Sequence, residues 1–89
     1  MKRSNKVFLR KVGDIFFLQF QDEFEQKMIL LNKTGAFLWE AMKDDCEVEH
    51  LVEALVIEYD VSESKAYEDV LAFLTFLANN KCLDSEEKV

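Results

Sequence analysis

The sequence predicts an α+β domain in which a three-stranded antiparallel sheet is followed by three helices. Two runs rich in aromatic and β-branched residues, "VFLRKV" (7–12) and "IFFLQF" (15–20), are separated only by Gly13 and Asp14, which reads as a hairpin. A third apolar run, "QKMILL" (26–31), follows one short acidic connector, "QDEFE" (21–25). Beyond residue 32 the apolar spacing changes from that of strands to that of helices.

Connections this short favour a meander, so strands one and three are expected at the two edges of the sheet. Strand one carries Arg10 and Lys11, charges that protect an edge from stray pairing. The "MILL" of strand three carries none and stays attractive to another strand.

The junction "LLNKTGAFLWEAM" (30–42) passes from strand to helix without proline or loop. Asn32 is a good N-cap for a helix reaching about residue 42 or 43, because its side-chain oxygen accepts from the first free N–H groups. Thr34 is a rival cap. Gly35 lowers helix propensity in the first turn, which points to close packing there against the strand or a neighbouring helix. The pair therefore reads as backbone geometry rather than chemistry.

A second helix fits residues 48–59, with Val48, Leu51, Val52, Leu55 and Tyr59 on one face and Glu49, Glu53 and Glu58 exposed. The corner "DVSE" (60–63) supplies Ser62 as the cap of a third helix over 63–79, and Glu63 suits its positive end. Two helices joined by so short a turn have the outline of a helix-turn-helix. On the third helix the apolar residues from Ala66 to Ala78 spread over an arc of about 220° at 100° per residue, wider than the usual surface stripe. Either this helix is a central core element touched on two sides, or one flank floors a groove; the two are compatible.

Composition narrows the functional classes. With 89 residues and 49% hydrophobic content, the chain has enough apolar mass for one small core. A formal charge of −7 disfavours nucleic acid, whose phosphates call for lysine and arginine. No run approaches a membrane span and "MKRSNKVFLRKVGD" is too soon charged for a signal sequence, so a cytoplasmic protein is expected. Cys46 and Cys82 read as reduced thiols packed as small hydrophobes.

Catalytic constellations are hard to find. His50 is the single histidine, and with Cys46 it offers two ligands where structural zinc usually takes four. "KDDCEVE" (43–49) lacks the alternation and glycine of a calcium loop, and two glycines cannot build a phosphate loop. No cofactor, metal or enzymatic activity is expected.

"MILLNKTGAFLWEAM" followed by "VEHLVEALVIEYDVSESKAYEDVLAFLTFLANNKCL" strongly resembles the PqqD family, the pyrroloquinoline-quinone biosynthesis protein D group and its relatives called RiPP recognition elements. The resemblance runs from about Phe8 to Leu83. Its distinguishing parts are "LN-x-TGAFLWE", the "L-x-x-x-Y-x-V" of Leu55, Tyr59 and Val61, and "DVLAFL" ending in "CL". Order and spacing together make it specific.

The resemblance implies a winged helix-turn-helix spanning 7–83, between a flexible N-terminus (1–6) and an acidic C-terminal tail (84–89). It also implies a peptide-binding module that captures the leader segment of a ribosomally made precursor by β-strand addition and presents it to a modifying enzyme, often a radical SAM protein. The implied binding residues are Gln26, Lys27, Met28, Ile29 and Leu30 on the strand, with Tyr67, Val70, Leu71 and Leu74 on the third helix. Which flank of that helix faces the peptide stays open. A free third edge beside an over-apolar helix is the arrangement that β-augmentation needs. Two other readings stand beside it: an adaptor or homodimer using the same edge without a leader, and a DNA-binding winged helix, which would turn Glu63, Glu68 and Asp69 toward phosphates.

Overall fold

The computed structural model describes residues 2–21 and 27–83. Strands β1 (Val7–Val12), β2 (Ile15–Phe20) and β3 (Met28–Leu31) form an antiparallel sheet of order β1-β2-β3. Helices α1 (Lys33–Ala41), α2 (Val48–Tyr59) and α3 (Glu63–Asn79) follow. The predicted α+β order, meander and two edges are all present. Expectations for Gln26 and for the tail at 84–89 lie outside the described residues.

Gly13 has φ +62°, the value the first position of a two-residue type II′ hairpin loop demands and which only glycine adopts without strain. The hairpin fixes the register, Val12 opposite Ile15 and Leu9 opposite Leu18. β3 then pairs Leu18 with Ile29 and Phe16 with Leu31. It starts at Met28 rather than residue 26, so it is a four-residue edge strand.

Side-chain alternation divides the sheet. Val7, Leu9, Leu18, Phe20, Ile29 and Leu31 face the helices and belong to the core or pack against it. Phe8, Val12, Ile15, Met28 and Leu30 are exposed on the other face. Trp39, Leu38, Leu51, Leu55, Val70 and Leu77 are each 1% exposed or less and form the centre of the domain. Tyr59 closes α2 onto α1, its ring edge-on to Phe37 at 5.6 Å and 88°.

The caps follow the sequence. Asn32 Oδ1 accepts from the Gly35 N–H at 2.7 Å, and Ser62 Oγ from the Lys65 N–H at 3.1 Å. Thr34 lies inside α1 rather than capping it. His50 has a local job: its Nδ1 accepts from the Glu47 N–H at 3.2 Å, closing the start of α2. Asp60 ends α2 in the left-handed region at φ 53°.

Residues 3 and 4 of the N-terminal segment contact the body of the domain. The Arg3 guanidinium donates to the Trp39 carbonyl at 2.8 Å and lies 5.1 Å from the Trp39 ring centre. The Ser4 N–H donates to the Cys82 carbonyl at 2.8 Å, and Arg3 bridges to Leu83. A cation over an indole, with a main-chain bond beside it, ties residues 3 and 4 to the core.

Both cysteines are free thiols. Burial pushes Cys82 up to about 11 and also raises Cys46, so neither is primed as a thiolate. No helix among the described residues is long and apolar enough to cross a membrane.

Two substitutions separate local capping from core packing. Asn32→Ala is expected to lower stability by about 1 kcal/mol through the lost cap, and Leu77→Ala by about 2–5 kcal/mol through a core cavity. Urea titrations followed by circular dichroism measure both; an unchanged midpoint for Asn32→Ala would remove the cap from the account.

Candidate functional site

Backbone direction along β3 follows from one hydrogen bond. The Phe20 N–H donates to the Lys27 carbonyl at 3.2 Å, and the register places these two residues opposite one another. They form a hydrogen-bonded pair, and antiparallel ladders alternate such pairs with non-bonded ones. Lys27, Ile29 and Leu31 therefore direct their N–H and C=O groups to β2, while Met28 and Leu30 direct theirs to the free edge. Met28 and Leu30 are also 61% and 71% exposed. The free edge thus offers two donors and two acceptors in strand geometry.

Beside this edge lies a groove of about 430 Å³ between β3, the start of α1 and α3. Leu30 and Leu31 form its strand side, Phe73, Phe76 and Ala72 its α3 side, and Gly35 lies at the α1 end. The rings of Phe73 and Phe76 stack with centres 6.4 Å apart and planes at 22°. Asp69, on the rim, is paired with Lys65 at 3.2 Å, so it does not enter as a lone charge.

Gly35 sets how near α3 comes. A Cβ built there would stand 3.1 Å from Asn32 Oδ1, 3.3 Å from Phe73 Cε1 and 3.5 Å from Leu31 Cδ2. The hydrogen of glycine is what lets cap, strand and α3 ring meet at one point.

The structure sorts the residues proposed from sequence. Leu30 lines the groove and Met28 shares its outward backbone direction. Ile29 turns its backbone to β2 and its side chain to the core. Lys27 is half-buried, its ammonium 5.2 Å from the Phe20 ring centre.

On α3 the groove belongs to the other flank. Val70 is fully buried, and Leu74 packs on the core. Tyr67 lines a separate cleft against α2, and Leu71 is exposed without lining either space. The α3 groove residues are instead Asp69, Ala72, Phe73 and Phe76, which sequence reasoning missed. The corner at Asp60 and Val61 was a usable signal: so short a connection keeps the first turns of α3 against α2, which claims Tyr67 for that side.

The arrangement suits binding of an extended chain, with main-chain partners along the edge and an apolar slot beside it. Among the described residues no group of three or more His, Cys, Asp or Glu is placed to hold a metal.

Comparison with known proteins gives a consistent picture. The family model for coenzyme PQQ synthesis protein D (PqqD) matches residues 18–83. No curated protein sequence matches the chain. The solved structure of TbiB1 in complex with the TbiA(β) leader peptide is similar, with a TM-score of 0.79 and 26% identity over 94% of this chain and 95% of that one. Lasso peptide synthetase B1 complexed with the leader peptide shares the fold, with a TM-score of 0.73 and 20% identity over 89% of this chain and 91% of that one.

Gly35→Ala tests the three-way contact. Alanine alone would raise helix stability by about 1 kcal/mol, but here the methyl must displace Asn32 or Phe73. The expected result is a stability gain well short of that figure, with the Phe73 ring and Asn32 side-chain resonances shifted in NMR spectra. A full gain with both resonances unmoved would show that the junction is not tight.

Proposed function

The chain belongs to the coenzyme PQQ synthesis protein D (PqqD) family, and from that premise we propose that it captures the leader segment of a ribosomally made precursor peptide as a fourth strand on β3. The observation that carries this reading is the outward main-chain direction of Met28 and Leu30 beside the groove of Phe73 and Phe76. The TbiB1 structure, which holds a leader peptide, supports it.

Energetics divide the work between edge and groove. Four main-chain bonds at about 1 kcal/mol each roughly offset the 2–5 kcal/mol needed to order a disordered peptide. Selective affinity then rests on apolar side chains entering the slot. In an added strand alternate residues point the same way, so the leader should place apolar residues two apart against Leu31, Phe73 and Phe76.

The domain acts as a binding adaptor without chemistry of its own, handing the precursor to a modifying enzyme such as a radical SAM protein. A cytoplasmic setting fits two unpaired cysteines. The negative net charge favours faster association with a basic leader, an effect that salt weakens.

Titration of the full chain with the synthetic leader of a candidate precursor peptide tests the reading. Met28→Pro and Leu30→Pro remove outward donors and are expected to keep the fold while weakening binding at least about tenfold, roughly 1.4 kcal/mol. Ile29→Pro removes an inward donor and is expected to damage the fold. Phe73→Ala should weaken binding, and Tyr67→Ala should leave it near the parent value. Unchanged binding in both outward proline variants would overturn strand addition at this edge.

A further inference from the structure

The flank of α3 that turns away from β3 has a cleft of its own. Val52 and Val56 of α2 and Tyr67 of α3 give it an apolar lining, within an open space of about 960 Å³. Glu49 and Glu53 from α2 and Glu63 and Glu68 from α3 line the same space, and among the described residues no lysine or arginine does. Tyr67 is 51% exposed and lines this space.

We propose that this α2–α3 cleft is a second docking surface, which takes an amphipathic helix of a partner protein with an apolar stripe flanked by lysine or arginine. The occupant's form follows from what the cleft offers. Its walls are two helices whose main-chain groups are bonded internally, so it has no edge for an added strand; the occupant must satisfy its own backbone, as a helix does. The occupant's charge follows from the four carboxylates, which repel one another and would repel an anionic membrane, and which a cationic rim would neutralise. A second copy of the chain is a poor fit, because its own α2 and α3 bring the same glutamates.

The leader groove uses Asp69, Ala72, Phe73 and Phe76, while this cleft uses Glu63, Tyr67 and Glu68. The two lie on opposite flanks of one rigid helix, so both can be filled at once. Assigning the helix to the modifying enzyme rests on the leader-binding reading; the existence of the site does not. With both flanks occupied, α3 would hold enzyme and leader a helix width, about 10 Å, apart.

The test is titration of the isotope-labelled full chain, followed by NMR, with a synthetic helical peptide of about five turns carrying a leucine stripe flanked by lysines. A scrambled peptide of the same composition separates shape from charge. Expected are shifts confined to residues 49–56 and 63–68, binding at least about tenfold weaker for the scramble, and a similar loss for the Glu53→Lys, Glu68→Lys double variant. These are exposed positions, and circular dichroism confirms that the variant is folded. Equal binding of the scramble, shifts centred on Phe73 and β3, no shifts, or indifference to charge reversal would each overturn the proposal. The amides of Met28 and Leu30, read in the same spectra, report the other site, and the double variant should still bind the leader. Failure at the cleft is thereby distinguished from failure of leader capture.

Discussion

The hydrogen bond from the Gly35 N–H to Asn32 Oδ1, made where a Cβ would crowd the cap and the Phe73 ring, is the constraint from which the site follows. It ends β3 one residue before α1 begins, so the third strand is short and nothing among the described residues lies along its outer edge. The bare Cα of Gly35 admits Phe73, which brings α3 close enough to wall a groove beside that edge. Burial of Leu38 and Trp39 on the same helix then ties the junction to the core. Arg3 reaches the Trp39 carbonyl from the N-terminal side. One local bond thus fixes the end of the sheet, the start of the helical layer and the width of the slot.

Main-chain complementarity and apolar selectivity are separate in this design. In the proposed mode the edge would take up an extended backbone whatever its side chains, because Met28 and Leu30 turn their N–H and C=O groups outward. In that mode discrimination would come from the slot, where the rings of Phe73 and Phe76 stack. The opposite edge, β1, is less inviting: Arg10 is held by Gln19 at 3.1 Å, and Lys11 lies over the Phe16 ring. The Cys82 thiol is buried, and His50 closes the start of α2.

Most of the architecture was legible in the sequence because each element carries its own local signal. Alternation marked β1 and β2, Asn32 and Ser62 marked two helix starts, and the ranges expected for α2 and α3 match those observed. The site was legible only in part. A helical wheel gives the width of an apolar arc but not which neighbour lies on which side, so Tyr67 was placed with β3 when α2 claims it. The direction of the β3 backbone depends on register with β2, a relation between two segments that neither run of residues encodes alone. The anchoring of Arg3 was hidden for a similar reason, since its partner Trp39 is 36 residues away.

Residue-resolved amide hydrogen exchange along β3, with and without bound leader peptide, tests the central claim most directly. In the free protein the Ile29 and Leu31 amides, bonded to β2, should exchange slowly, and those of Met28 and Leu30 should exchange fast. On binding, Met28 and Leu30 should become protected while Ile29 and Leu31 stay as they were. A leader that binds tightly yet leaves Met28 and Leu30 exchanging at their free rates would contradict strand addition at this edge.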